Sequence, residues 1–161
     1  MARPIHKILF IEPRAPREHI FSRVVIPRLG CLLLGTILQE QGKEVKVVIE
    51  EMSTPDYRTL DFHPDLVCIS SISSTAPRAY ELGDFYRQQG LPAVLGGAHP
   101  SFLPLEGLEH ADYVICGEFA GGEVNWPFSR IFIMLGFAAP GDFAKVKDLI
   151  IHSIETGDGR Y

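Results

Sequence analysis

Short apolar runs along this chain alternate with longer amphipathic stretches. Apolar runs with polar ends are typical of buried strands, and apolar residues spaced three and four apart predict helices. We expect strands at Lys7–Glu12, Glu44–Glu50, Asp65–Ser70, Pro92–Leu95 and Asp112–Cys116. We expect helices at Arg28–Gln41, Ala76–Gln89 and Pro104–His110. Because strands separated by helices favour parallel pairing with right-handed crossovers, the pattern predicts an α/β fold with a parallel sheet.

The first predicted helix has leucine and isoleucine at helical spacing. We expect one face to point inward, formed by Leu29, Leu32, Leu33 and Ile37. Gly35 inside this helix costs stability relative to alanine, so we expect it to permit close packing on the sheet. In the next helix, Ser74 or Thr75 is the expected N-cap, followed by Pro77 in the first turn.

Two strands end in residues that suit a ligand. Val67–Thr75 ends in a cluster of hydroxyls, and Ala93–Ser101 contains the pair Gly96 and Gly97. The carboxyl ends of neighbouring parallel strands form the usual ligand-binding edge of such a sheet. Glycines let a ligand approach the backbone closely, and hydroxyls supply compact donors and acceptors. The simpler alternatives are a tight turn at the glycines and a helix cap at the hydroxyls.

Other polar residues near this edge have simple interpretations. Glu12 ends the first strand and could contact a ligand, although a solvated strand end is the default. His99 is expected in an exposed loop, where an inert histidine is favoured over one beside a ligand. A group of arginines could form an anion site, but a solvated loop is favoured: Arg14, Arg17, Arg23 and Arg28. No spacing indicates a catalytic triad or a carboxylate pair, so no catalytic residue is predicted.

Composition narrows the functional classes. The net charge is −5 over 161 residues, which gives no electrostatic support for nucleic-acid binding. The three cysteines, Cys31, Cys68 and Cys116, form no zinc or iron–sulfur motif, and Cys68 and Cys116 are expected to be buried thiols. An odd number of cysteines without a signal peptide favours a cytoplasmic location. The longest apolar run, Ile131 to Ala139, is too short to span a membrane.

The segment from 121 to 161 is harder to interpret. Residues 142–156 predict an amphipathic helix that Asp142 would cap and Gly157 would end. This helix could pack on the same domain, dock a partner or contact a second copy of the chain. We therefore expect one domain over 1–120 and an extension over 121–161.

The order of these segments resembles the cobalamin-binding domain at the amino end of cobalamin-dependent radical S-adenosylmethionine enzymes. The resemblance covers roughly residues 5 to 119. Four motifs carry it: Pro27-Arg-Leu-Gly30, Pro64-Asp-Leu-Val-Cys-Ile-Ser70, Leu95-Gly-Gly-Ala-His-Pro100 and Ala111-Asp-Tyr-Val-Ile-Cys-Gly-Glu118. It implies a flavodoxin-like (Rossmann-like) three-layer α/β sandwich with a five-stranded parallel sheet of order 2-1-3-4-5.

In that family the corrin ring lies over the carboxyl ends of the strands, and the nucleotide tail enters a cleft beside the first helix. Ser70, Ile72 and Ser74 match a Ser-x-Leu-x-Thr pattern that lines the tail. Gly96 and Gly97 match a glycine pair that lets the tail pass. The candidate cofactor-binding residues are Ser70, Ile72, Ser74, Thr75, Gly96, Gly97, His99, Gly117 and Glu118.

Two family features are absent. The Asp-x-His-x-x-Gly motif of methionine-synthase-like domains, whose histidine ligates cobalt, is missing, and His19 stands in the corresponding loop without its aspartate or glycine. The radical enzymes commonly lack this motif too, which implies cobalt without a histidine below it. The cluster-binding CxxxCxxC is also missing, so we expect a truncated chain, an orphan domain or a subunit that cannot perform radical chemistry alone.

The resulting hypothesis is a domain that holds cobalamin for a radical or methyl-transfer partner, with no role for nucleic acid or membrane and with a homo-oligomer as a possibility. The alternative is an interaction or regulatory module that kept the fold and lost the cofactor. A third option is a flavodoxin-like domain for another nucleotide, although the Ser70–Thr75 loop lacks the repeated glycines and the lysine of a phosphate-binding loop.

Overall fold

The computed structural model describes residues 5–16 and 28–116 of the chain. The strands in this part are β1 Lys7–Glu12, β2 Glu44–Ile49, β3 Leu66–Ser70, β4 Ala93–Gly96 and β5 Tyr113–Val114. The helices are α1 Leu29–Glu40, α2 Ala76–Gln88, α3 Ala98–Phe102 and α4 Pro104–His110. The predicted extension over 121–161, including the helix at 142–156, lies outside the described residues.

The strands form one parallel sheet in the order β2-β1-β3-β4-β5. Phe10 of β1 lies between Val47 of β2 and Cys68 of β3, and Ser70 of β3 lies beside Gly96 of β4. The predicted flavodoxin-like fold and strand order are confirmed. The order reverses between β1 and β3, and in such sheets ligands bind outside the carboxyl ends of the strands at this point.

Strand residues with alternating side-chain directions build a core on each face of the sheet. Leu9, Ile69 and Leu95 pack with Leu82 and Tyr86 of α2 on one face. On the other face a second core forms around α1, from Ile8, Phe10, Cys31, Leu38 and Val94. Burial on both faces explains why the strand sequences are nearly continuous apolar runs rather than alternating ones.

The predicted inward face of α1 is wrong. Its residues are exposed or half-buried: Leu29, Leu32, Leu33 and Ile37. The buried positions are instead Cys31, Gly35 and Leu38. A Cβ on Gly35 would lie 3.1 Å from Cγ2 of Val47, so the helix approaches the sheet most closely at its glycine. The expectation that Gly35 permits close packing is thereby confirmed, and this contact sets the rotation of the helix.

The segment after β4 is helical rather than an exposed loop. Gly97, with φ of 98°, turns the chain directly into α3. Pro100 is buried, and it fits in the first helical turn because the backbone N–H groups there have no intrahelical partner. The Ser101 hydroxyl donates to the Gly97 carbonyl at 2.7 Å. Within the described residues, no helix is long and apolar enough to cross a membrane.

Candidate ligand site at the carboxyl edge of the sheet

Three strand ends meet at the edge where the strand order reverses. Ser70 and Gly96 are register partners at the ends of β3 and β4, and Glu12 ends β1 beside them. This confirms that the hydroxyl cluster and the glycine pair lie together. The loops that follow β3 and β4 therefore lie at one surface, with the start of α1 on one face of the sheet.

The structure gives different reasons for a glycine at position 96 and at position 97. A Cβ on Gly97 would lie 2.5 Å from the Ser71 carbonyl oxygen, and its φ of 98° disfavours side chains. The fold itself therefore requires Gly97. A Cβ on Gly96 would meet only Ile115, at 4.0 Å. Gly96 thus leaves space that the described protein does not fill, which is what a ligand passing over the strand end needs.

The β3–α2 loop presents an exposed tip formed by Ile72, Ser73 and Ser74. The tip is held from below by Thr75, which is 4% exposed. Its hydroxyl accepts from the Ile72 N–H at 3.1 Å and donates to the Ile72 carbonyl at 3.2 Å. Thr75 occupies the N-cap position of α2, but its hydroxyl shapes the loop and makes no capping bond.

Ser70 connects the end of β3 to α1. A side-chain hydrogen bond joins it to Cys31, and its carbonyl accepts from Nη2 of Arg28 at 3.1 Å. Burial, with a smaller contribution from the Glu12 carboxylate, raises the pKa of Cys31 to about 11. The thiol is therefore neutral at physiological pH. It serves as a packing residue beneath the site rather than as a nucleophile.

Glu12 and Arg28 form a buried ion pair that the sequence interpretation missed. Glu12 is 4% exposed rather than solvated, and its carboxylate oxygens accept from the Arg28 backbone N–H at 3.1 and 3.0 Å. Nε of Arg28 lies 3.4 Å from Oε1 but has no well-directed hydrogen bond among the described residues. The available signal was an acidic residue at the last position of a buried strand, at the predicted ligand edge.

Ser71 is a second residue of the site that sequence reasoning left out. It is fully buried, and its hydroxyl has no hydrogen-bond partner among the described residues. Its backbone N–H donates to the Gly96 carbonyl at 2.8 Å, and its carbonyl accepts from the His99 N–H at 3.3 Å. Ser71 therefore joins the glycine pair to the β3–α2 loop, and a buried unsatisfied hydroxyl beside that junction is a position that a ligand could satisfy.

His99 lies at the start of α3, and its ring contacts other parts of the protein. Nε2 is 3.0 Å from the Tyr80 hydroxyl of α2, and Nδ1 is 3.3 Å from the Ser73 hydroxyl. Its side chain is only 12% exposed. The ring therefore links the glycine turn to the β3–α2 loop. Predicted residues Gly117 and Glu118 lie outside the described residues.

The buried Ser71 hydroxyl and the unfilled end of β4 at Gly96 are features that an organic ligand can occupy. Within residues 5–16 and 28–116, no group of three histidine, cysteine or acidic side chains could hold a metal ion. The side chains at this edge are hydroxyls, the Glu12–Arg28 ion pair, the Cys31 thiol and the His99 ring.

Comparison with known families agrees with this geometry. Residues 22–125 match the family model described as the B12 binding domain, which covers more than half of the chain. The chain belongs to this family, and cobalamin is the cofactor that the family implies. The expected resemblance to cobalamin-binding domains is confirmed.

Two curated relatives come from Chlorobaculum tepidum (strain TLS). Bacteriochlorophyllide d C-12(1)-methyltransferase is 31% identical over 132 residues, which is 81% of this chain and 28% of the relative. Bacteriochlorophyllide d C-8(2)-methyltransferase is 48% identical over 54 residues, which is 34% of this chain and 12% of the relative. The chain thus spans less than a third of either relative. No solved structure matches the chain significantly.

Proposed function

We propose that this chain holds cobalamin at the carboxyl edge of its sheet and presents it to a methyl-transfer or radical partner domain in the cytoplasm. The observation that carries this proposal is the space over Gly96, where an added Cβ would meet nothing closer than Ile115 at 4.0 Å. Membership of the B12 binding family and the methyltransferase relatives support it.

The nucleotide tail would enter the cleft between α1 and the ends of β3 and β4. Gly96 would let it pass, and Ser70 and Ser74 would offer hydrogen bonds along it. Ile72, 39% exposed at the loop tip, would add apolar contact. Gly117 and Glu118 would close the far side. The buried Oγ of Ser71, which has no hydrogen-bond partner among the described residues, is a further group that a bound cofactor can satisfy.

We further propose that none of the histidines in residues 5–16 and 28–116 binds cobalt from below, and that His19, which lies outside these residues and lacks the Asp-x-His-x-x-Gly motif around it, does not do so either. His6 and His63 precede β1 and β3, so they lie toward the opposite edge of the sheet. The ring of His99 contacts Ser73 and Tyr80, and Nδ1 of His110 pairs with Asp84 at 2.9 Å. When bound, cobalamin would supply a cobalt ion that can carry a methyl group, while the protein would bind and orient it and shield its tail from water.

The purified chain, titrated with hydroxocobalamin and passed through gel filtration, tests the proposal. We expect the red cofactor to elute with the protein in a one-to-one ratio. The cob(II)alamin form should show no nitrogen coordination from a protein histidine, which electron paramagnetic resonance detects directly. A colourless protein after gel filtration from high micromolar cofactor would contradict the proposal and favour an interaction module with the same fold.

A further inference from the structure

Three side-chain contacts in series connect α4, α2, α3 and the β3–α2 loop. The Tyr80 hydroxyl donates to Oε1 of Glu106 at 3.0 Å. Nε2 of His99 lies 3.0 Å from the Tyr80 oxygen, and Nδ1 lies 3.3 Å from Oγ of Ser73. Ser73, the last residue of this series, lies at the exposed loop tip of the proposed cofactor site.

The number of available protons fixes which group donates in each of these three hydrogen bonds. A phenol has one hydroxyl proton and an ionised carboxylate can only accept, so the Tyr80 hydroxyl donates its hydrogen bond to Glu106. The Tyr80 oxygen can then only accept from His99, which places the imidazole proton on Nε2. A neutral imidazole has a single N–H, so Nδ1 must accept and the Ser73 hydroxyl must donate to it. Desolvation and the Glu106 bond raise the pKa of Tyr80 to about 12, so the phenol keeps its proton at physiological pH.

We propose that His99 is a positioning residue. Because the Ser73 hydroxyl donates to Nδ1 of His99, the Ser73 oxygen faces the ligand as a hydrogen-bond acceptor. This inference rests on the proposed function and adds a specificity to it. An acceptor at the loop tip selects N–H or O–H groups of the cofactor, such as primary amides of the corrin ring or a ribose hydroxyl. It disfavours a phosphate oxygen, which is itself an acceptor.

Protonation of His99 would reverse this selection. With both ring nitrogens as donors, Nδ1 would donate to Ser73, and the Ser73 proton would point toward the ligand. The groups facing the ring are Tyr80 from α2 and Glu106 from α4, whose Oε1 is 3.6 Å from Nε2. Glu109 acts on Tyr80, and His110, paired with Asp84, stacks on the Tyr80 ring at 4.3 Å. Binding should therefore weaken when the ring is protonated.

The tautomer can be measured without any cofactor. In the full chain labelled with ¹⁵N-histidine, long-range ¹H–¹⁵N correlation spectra distinguish protonated from bare ring nitrogens. We expect the neutral form of His99 to carry its proton on Nε2. In Tyr80→Phe, which removes the acceptor for this proton, we expect a mixture of tautomers. A neutral His99 with its proton on Nδ1 in the wild type would overturn the proposal.

Binding of hydroxocobalamin then tests the role of Ser73. We expect Ser73→Ala to weaken binding about five- to tenfold, since one hydrogen bond to the ligand is lost. His99→Ala should weaken it similarly, and His99→Asn, whose amide oxygen can accept from Ser73, should restore most of the affinity. Thr59→Ala removes an exposed hydroxyl in the β2–β3 connection and serves as the matched control.

The outcomes separate this inference from the proposed function. Wild-type chain that retains no cobalamin contradicts the proposed function and the ligand role of Ser73, and the spectra still decide the tautomer. Wild-type binding with an unchanged Ser73→Ala affinity overturns only the inference about Ser73. Circular dichroism of each variant distinguishes a lost contact from an unfolded protein.

Discussion

The Glu12 carboxylate and the Arg28 guanidinium pair at the point where the strand order of the sheet reverses. Nε of Arg28 is 3.4 Å from Oε1 of Glu12, and the Arg28 backbone N–H donates to both carboxylate oxygens. The same guanidinium donates through Nη2 to the Ser70 carbonyl. One side chain thus joins the ends of β1 and β3 to the start of α1, and this junction frames the proposed cofactor cleft.

Replacement of Arg28 by alanine should destabilise the chain. The backbone bond to Glu12 would remain, but the buried carboxylate would lose its countercharge and the Ser70 carbonyl its donor. We expect the free energy of unfolding in urea to fall by about 2 kcal/mol, because hydrogen bonds to charged groups are worth about 1.5–3 kcal/mol. Arg28→Lys keeps the charge and should lose less. A loss below about 0.5 kcal/mol for Arg28→Ala would show that the pair does not hold the junction.

The two glycines of the pair should respond differently to substitution. Gly97→Ala forces a side chain into positive φ and against the Ser71 carbonyl, so we expect it to cost about 2 kcal/mol or more of stability. Gly96→Val has room in the described protein and should leave the melting temperature within a few degrees of wild type. It should nevertheless weaken cobalamin binding at least about tenfold, because the added methyls occupy the path of the tail.

Gly96→Ala is the graded control for this comparison and should fall between wild type and Gly96→Val in affinity. Thermal melting and cobalamin titration of the same preparations separate the two effects. A folded Gly96→Val chain with wild-type affinity would place the tail elsewhere.

Glu50, at the carboxyl end of β2, is the centre of a buried polar cluster. Its side chain is fully buried, accepts from the Tyr57 hydroxyl at 3.1 Å and pairs with Nη2 of Arg78 at 2.9 Å. Arg78→Met would leave this buried charge unpaired, and we expect a loss of about 3 kcal/mol in unfolding free energy. Glu81, the second partner of Arg78, is exposed, so Glu81→Gln should cost less than about 0.5 kcal/mol. Equal losses in the two variants would contradict this ranking.

The buried thiol of Cys31 should make the fold sensitive to alkali. Its pKa is raised by burial from 9.0 to about 11, whereas the unfolded thiol keeps the lower value. The stabilising contribution is therefore fully present below pH 9 and is lost as the pH rises from 9 through 11. Linkage gives a loss of about 2 kcal/mol by pH 10.5 from this group.

Urea unfolding at pH 8 and at pH 10.5 tests this effect, with Cys31→Ala as the comparison. The variant should lose less stability than the wild type between the two pH values, by about the same 2 kcal/mol. An identical pH dependence in both proteins would show that the Cys31 thiol ionises as readily in the folded chain as in the unfolded one.

Sequence patterns were sufficient for the parallel sheet and for the meeting of Ser70 with Gly96, and the strand order followed from the resemblance to cobalamin-binding domains. Short apolar runs between helices specify a parallel sheet, and parallel strands place their carboxyl ends together. The rotation of α1 was not predictable in the same way. Most leucines of α1 lie on its exposed face, so the apolar pattern indicates the wrong face. The close approach of Gly35 to Val47 places the other face against the sheet.

The partners of buried polar side chains could not be predicted from the sequence either. Glu12 and Arg28 are 16 positions apart in the sequence, so no local spacing indicates their pairing. The α3 helix depends on the positive φ of Gly97, which a Gly-Gly sequence permits but does not require. Tertiary contacts of this kind decide the geometry of the site, although the residue types that form it were visible in the sequence.

The most direct test of the account is equilibrium dialysis of wild-type chain and Gly96→Val against hydroxocobalamin. We expect one bound cofactor per wild-type chain and at least about tenfold weaker binding to a folded Gly96→Val variant. No binding to the wild type would contradict the assigned role in holding cobalamin. Equal binding to both proteins would contradict the placement of the tail over the end of β4.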